Sequence, residues 1–216
     1  MPNPTTPNFD SIAPIYDSLS RMVFGDALRR AQMEHLGAIP EQAHVLLIGG
    51  GSGWLLEQLL LQKPQVQVTY LESSTKMLEL AQKRCKQLAI PTAAVSFRLG
   101  DENSLKPDEK FDVIITPFLL DLFPDDRLQH LMDRLFTALR PGGLWLFSDF
   151  WPVHEPTPFW QRLLLRSMYT FFGVVSGVNA SQLPDFGLHF QRLRLQEQAS
   201  TQFYGSLIQA KVYRKV

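Results

Sequence analysis

Cysteine is almost absent from this sequence, with Cys85 the single one in 216 residues. One thiol closes no intramolecular disulfide and cannot build a cysteine-rich zinc site, so both frameworks are excluded. An excess of charge of either sign is also missing. Twenty-one Lys and Arg balance twenty-one Asp and Glu, and no Lys/Arg run exceeds two residues. A nucleic-acid partner needs a basic face to neutralise phosphates, so none is expected here. Long apolar runs are lacking too. A membrane span needs ~18 such residues, and the best stretch, 159–175, is broken by Gln161, Arg162, Arg166 and Ser167. The first nine residues are rich in Pro, Asn and Thr and have no apolar core of secretory type. The default expectation is a cytoplasmic protein.

What remains is an ordinary folding mixture, with 45% apolar and 19% charged residues. The length fits one domain, since domains run to about 250 residues. Three regions are expected within it: a helical cover over 1–40, a core over 41–150, and a lid helix with closing strands over 151–216. In the cover, Asp26 is placed to cap a helix running to about Leu36, ended by Gly37 and Pro40. From His44 the rhythm changes to short apolar runs alternating with helical periodicity. Strands are expected at 44–48, 66–71, 93–99, 111–116 and 144–148. Helices are expected at 54–61, through Leu78, Ala81, Cys85 and Leu88, and over 125–139, both of the latter on a 3-4-3 spacing. Arg140-Pro141-Gly142-Gly143 reads as a stop and turn. A further helix is expected over 159–172, and alternating segments at 190–197 and 203–213 are expected to pair antiparallel. Strands alternating with helices call for a mainly parallel α/β sheet covered on both faces.

The strongest local signal is Gly49-Gly50-Gly51-Ser52-Gly53, set between a buried strand and a helix. Glycines there let backbone approach a ligand closely, and the helix N-terminus behind them offers N–H groups and partial positive charge. A dinucleotide fingerprint needs G-x-G-x-x-G. Its third glycine falls on Trp54 or Leu56, which counts against a nicotinamide cofactor. Glu72 lies nineteen residues after Gly53, where an acid accepts from ribose hydroxyls in doubly wound folds. Asp101, in Gly100-Asp101-Glu102-Asn103, is placed to accept from an adenine amino group or to cap a turn. Thr116-Pro117-Phe118 ends the fourth strand, where backbone carbonyls and the Phe118 ring line either a ligand channel or plain core.

These residues together resemble the class I S-adenosylmethionine-dependent methyltransferases. Residues 45–53, Glu72-Ser73-Ser74, Met77-Leu78, Gly100-Asp101, Phe111-Asp112-Val113-Ile114 and Leu139-Arg140-Pro141-Gly142-Gly143 match successive motifs of that superfamily. Phe9-Asp10-Ser11-Ile12-Ala13 with Tyr16-Asp17 resembles the start of the ubiquinone/menaquinone C-methyltransferase group. The resemblance implies a Rossmann-like seven-stranded sheet of order 3-2-1-4-5-7-6 with the last strand antiparallel. It also implies S-adenosyl-L-methionine as cofactor. Gly49, Gly50, Gly51 and Gly53 would hold its methionine end and Glu72, beside Ser73, its ribose. Met77 would flank the adenine, Gly100, Asp101 and Glu102 would meet its edge, and Tyr16 would close over it. Two departures stand out. The family's usual acid before the glycines is replaced by Leu47 and Ile48, and the quinone enzymes' pattern is not matched from Trp151 onward.

The acceptor expected is a small molecule, apolar or aromatic, since residues 150–172 hold Trp151, Phe159, Trp160, Met168, Tyr169, Phe171 and Phe172. These rings either form a lid, pack the sheet, or mark a homodimer contact. His154, Asp149 and Asp121 are the candidates for a base, should the acceptor carry a proton that must leave. Metal is not called for. The competing readings are a non-catalytic nucleoside-binding protein and an NAD(P)-dependent oxidoreductase.

Overall fold

The computed structural model describes residues 23–87, 94–152, 158–166 and 183–216. Seven strands form its frame: β1 His44–Ile48, β2 Gln67–Glu72, β3 Val95–Leu99, β4 Phe111–Pro117, β5 Leu139–Phe150, β6 Leu195–Phe203 and β7 Ile208–Lys215. They lie in one sheet of order β3-β2-β1-β4-β5-β7-β6. β1 pairs parallel with β2 and β4, β2 with β3, and β4 with β5. β7 runs antiparallel to both β5 and β6. This is the order that the resemblance implies.

Alternation along each strand divides the core between two faces. Val45, Leu47, Val113, Ile115 and Leu146 point to one side, where they meet α2 (Trp54–Gln62) and α3 (Thr75–Gln87). Leu46, Ile48, Ile114, Trp145 and Phe147 point to the other, against α4 (Asp125–Ala138) and α6 (Phe186–Arg192). The leucines Leu55, Leu56 and Leu59 of α2 are fully buried, as are Ala81 and Cys85 of α3. Burial pushes the Cys85 thiol up from its ordinary pKa, and Glu57 adds to the effect. In α4, Leu128, Leu131 and Leu135 form the inner stripe, while Asp125 and Asp126 sit in the first turn and complement the helix dipole. The short α1 (Ala27–Met33) covers the β6–β7 side, held by His35 Nε2 against the Ala210 carbonyl at 3.1 Å. Arg29 also stacks over the Trp54 ring at 4.6 Å. Residues 159–166 are helical and form α5.

Four expectations need correction. The segment at 190–197 is not one strand, because Phe186–Arg192 is helical and β6 begins only at Leu195. Asp185 explains the helix: its carboxylate accepts from the Leu188 N–H at 3.0 Å and caps α6. Phe203 ends β6 and does not open β7. Arg140-Pro141-Gly142-Gly143 belongs to β5, not to a separate turn. The ladder with β4 runs from Leu139 to Leu144 through a register shift that accommodates those residues. Finally, the helix expected from Asp26 to Leu36 stops at Met33, and a 3₁₀ turn, Leu36–Ala38, follows it.

Aromatic rings fasten α6 to the sheet. Phe190 lies stacked on Tyr213 at 4.0 Å and edge-on to Trp145 and Phe147 at 5.7 and 5.3 Å. Trp151 packs edge-on to Phe147 at 5.9 Å, so this ring belongs to the core. Phe190→Ala is expected to cost about 3–5 kcal/mol, the range for deleting a buried phenyl group. Urea unfolding measures it, and a loss below about 1 kcal/mol would mean that the ring cluster does not hold α6.

Candidate functional site

Open α/β sheets bind ligands outside the carboxyl ends of strands, at the point where strand order reverses. Here that point lies between β1 and β4, the strands at which the chain winds off in opposite directions. β1 runs into the glycine bend, residues 49–53, and β4 into residues 118–122. The two segments touch, since a Cβ on Gly49 would come within 2.8 Å of the Leu119 side chain.

The bend requires glycine for two different reasons. Gly53 has φ +82° and starts α2, and a Cβ there would lie 2.6 Å from the Ala81 Cβ of α3. Gly51 has φ +62°, but a Cβ on it would meet nothing within 4 Å. Its side of the bend therefore faces open space. Hydrogen bonds from three directions hold this shape. The Gly49 N–H donates to the Leu71 carbonyl at 2.9 Å, continuing the β1–β2 ladder. The Gly51 N–H donates to Glu72 Oε2 at 3.0 Å, while Tyr70 Oη donates to the Gly51 carbonyl at 2.7 Å. From α3, Arg84 Nε donates to the Ser52 carbonyl at 3.2 Å.

Glu72 ends β2 and is nearly buried. Its other oxygen, Oε1, accepts from the Ser74 N–H at 3.0 Å, and Ser74 Oγ in turn accepts from the Met77 N–H at 3.1 Å, capping α3. One carboxylate thus joins the glycine bend to the start of the next helix. Tyr70 and Arg84 were not singled out from the sequence, and Ser74 entered only as part of the Glu72-Ser73-Ser74 motif. Tyr70 carried a signal, because it stands two residues before Glu72 on the same face of β2. Ser74, at a helix start, carried another. Arg84 had none, since its role depends on how α3 packs.

The remaining expected residues fall into two groups. Gly49, Gly50, Gly51, Glu72, Gly100 and Asp101 all lie at the carboxyl end of the sheet, and Gly100 continues β3 there by donating to the Glu72 carbonyl at 2.9 Å. Ser73 is exposed beside them, and Met77 is buried in the first turn of α3. Asp101 Oδ1 accepts from the Asn103 N–H at 3.0 Å, so this carboxylate caps a 3₁₀ turn. Phe118 takes φ +50°, donates its N–H to the Ser148 carbonyl at 2.7 Å, and sets its ring 5.3 Å from Phe150. The second group is committed elsewhere. Thr116 is sealed, with Oγ1 accepting from Trp145 Nε1 at 3.0 Å. Pro117 is buried beside it as the last residue of β4. Glu102 turns its buried carboxylate to α4, where Arg127 pairs with it. Tyr16 and His154 lie outside the described residues, as do Met168, Tyr169, Phe171 and Phe172.

The two acids weighed as bases are both sealed, with Asp149 0% and Asp121 1% exposed. Burial pushes the Asp149 carboxyl well above its ordinary range, and the neighbouring Asp121 pushes it further. The N–H donors of Phe150 and Leu120 oppose the shift without cancelling it.

Residues 45–143 match a family model described as a methyltransferase domain. Over 179 residues the chain is 32% identical to a demethylmenaquinone methyltransferase of Leptospira interrogans, covering 78% of this chain and 67% of that protein. The chain belongs to the class I S-adenosylmethionine-dependent methyltransferases. Over 152 residues the chain is also 30% identical to the malonyl-[acyl-carrier protein] O-methyltransferase of Halalkalibacterium halodurans, covering 67% of this chain and 54% of that protein. It therefore spans about half the length of that relative. Among solved structures, the N-methyltransferase NodS of Bradyrhizobium japonicum WM9, in complex with S-adenosyl-l-homocysteine, superposes with TM-score 0.63 at 17% identity, over 93% of this chain and 97% of that one. At that identity the likeness is one of fold. S-adenosylmethionine is the cofactor of the family, and the residues present fit it: an open-faced glycine bend lies beside a strand-end carboxylate at the switch point. No helix among the described residues is long and apolar enough to cross a membrane.

Glu72→Ala is expected to leave a folded chain that is less stable by about 1–3 kcal/mol, because two backbone N–H groups lose their acceptor. It should weaken S-adenosylmethionine binding about tenfold or more. Gly51→Val should weaken binding at least as strongly, by filling the open side of the bend and straining φ. Calorimetry with circular dichroism as the folding control checks both, and unchanged affinity in both variants would move the cofactor elsewhere.

Proposed function

We propose that this methyltransferase transfers the methyl group of S-adenosylmethionine to a small apolar or aromatic acceptor. The observation that carries the acceptor class is a chain of aromatic rings that starts at the end of β4. Phe118 lies 5.3 Å from Phe150, Phe150 5.1 Å from Phe24, Phe24 5.5 Å from Tyr204, and Tyr204 5.9 Å from Trp160. Phe24 and Phe150 are buried and Phe118 and Tyr204 half-buried, whereas Trp160 is 47% and its neighbour Phe159 72% exposed. Such a wall favours an acceptor with its own apolar or π surface.

In this reading Gly49, Gly50, Gly51 and Gly53 hold the methionine end of the cofactor, and Glu72, with Ser73 at its side, takes the ribose hydroxyls. Met77, Gly100 and Asp101 frame the adenine, with Tyr16 as the cover. Thr116, Pro117 and Glu102 act through backbone and packing, since the Thr116 and Glu102 side chains are bonded elsewhere. Bound there, the cofactor supplies an already activated sulfonium methyl group. Phe118 and Leu119 then orient the acceptor, so the chain works by alignment and proximity, effects worth several kcal/mol on their own. Asp121 and Asp149 take no proton from the acceptor, because both are sealed.

Two other readings are weaker. Trp54 occupies the place of the third glycine that a nicotinamide cofactor needs. A nucleoside-binding protein without activity would bind equally well but leave the aromatic wall unused. Incubation with radiolabelled S-adenosylmethionine and a panel of phenols, quinols and apolar carboxylic acids tests the proposal. Transfer of label to one of these classes is expected, with Phe150→Ala lowering turnover while S-adenosylhomocysteine affinity stays unchanged. Binding without transfer to any class would favour the non-catalytic reading, and binding of NAD alone would overturn the cofactor assignment.

A further inference from the structure

The ends of β4 and β5 are joined by a carboxyl pair that the methyl-transfer chemistry does not use. Asp149, at the end of β5, accepts from the Leu120 N–H at 3.0 Å and the Asp121 N–H at 3.3 Å through Oδ2. Its Oδ1 accepts from the Phe150 N–H at 2.9 Å. The Asp121 carboxyl is enclosed beside the same group, and its charge and hydrogen-bonding reach push the Asp149 carboxyl up. Both are sealed from solvent. Two carboxylate charges in contact and out of water repel strongly, and a hydrogen bond between two carboxyl groups needs a proton on one of them. Three N–H donors meet the remaining single negative charge.

What this pair holds is the segment facing the glycine bend. Between Asp149 and β4 lie Phe118, with its left-handed backbone, and Leu119, whose side chain reaches Gly49. A left-handed phenylalanine persists only where its surroundings enforce it. The Ser148 carbonyl anchors the Phe118 N–H at 2.7 Å, and one residue later the Asp149 carboxyl anchors Leu120 and Asp121. We propose that Asp121 and Asp149 share a single proton and act as positioning residues, fixing residues 118–122 against the glycine bend without touching either reactant. The consequence for the cofactor rests on the site assignment above; the shared proton itself does not.

The test combines three measurements on the intact chain. Infrared difference spectra at neutral pH should show the carbonyl band of a protonated carboxylic acid in the wild type. Asp149→Asn and Asp121→Asn should each abolish it, because an amide N–H replaces the shared proton. Amide hydrogen exchange of residues 118–122 should stay slow in both Asn variants. Asp149→Ala should speed it about five- to a hundredfold, the effect of a lost buried hydrogen bond. Asp149→Ser, which keeps one acceptor, repeats the test if the alanine variant does not fold. Affinity for S-adenosylhomocysteine should follow exchange, retained in the Asn variants and lowered in the alanine or serine variant. A wild type without the band overturns the shared proton. Unchanged exchange in the alanine or serine variant overturns the positioning role. Band and protection present, with no S-adenosylhomocysteine uptake by the wild type, would overturn the site assignment and leave the acid pair as a fold element alone.

Discussion

The hydrogen bond from the Gly51 N–H to the Glu72 carboxylate ties the glycine bend after β1 to the end of β2. It crosses between two neighbouring strand ends, and the same carboxylate holds the Ser74 N–H at the head of the next helix. A nearly buried acid with two donors is rigid, because either bond lost leaves a polar group without water to replace it. The glycine bend, the start of α2 and the start of α3 are thereby placed relative to one another before any ligand arrives. On the other side of the switch point, Asp149 does the same for the end of β4. The two carboxyls differ in surroundings. Glu72 sits at the end of its strand among N–H donors, whereas Asp149 must share its enclosure with a second acid.

The carboxyl end of the sheet was largely legible in the sequence. β1 was placed at its observed limits, and Gly49 to Gly53, Glu72 and Gly100 proved to lie at one end of one sheet. Such features are local: an apolar run, a bend that only glycine tolerates, an acid at a fixed distance along the chain. What escaped was non-local. Arg84 reaches the Ser52 carbonyl only because α3 packs beside the bend. The helix Phe186–Arg192 was masked by an alternating pattern, and its Asp185 cap competed with that pattern and won. Glu102 looked like part of an adenine-facing turn, yet Arg127, twenty-five residues later, turns it toward α4. Arg140 to Gly143 looked like a turn because proline and glycine usually make one, although a register shift lets β5 run through them.

The acceptor side proposed above is built from less specific material. Rings that touch at 5.1–5.9 Å make an apolar wall but carry no polar code for one substrate. That division fits a reaction whose donor is already activated. Precision is needed where the cofactor sits, and breadth of surface serves the partner molecule. Relatives that share this core are named for malonyl-[acyl-carrier protein] and demethylmenaquinone, two very different acceptors. The residues that match the family model, 45–143, include the glycine bend and Glu72.

Cys85 adds a practical property. The single thiol is enclosed between α3 and the sheet, and burial keeps it in the thiol form. Attack on disulfide or maleimide reagents requires the thiolate and a path to it. Both arrive only when α3 lifts away, so alkylation of this chain runs at the pace of a breathing motion. The protein carries its own stopwatch for the opening of the helix that braces the glycine bend.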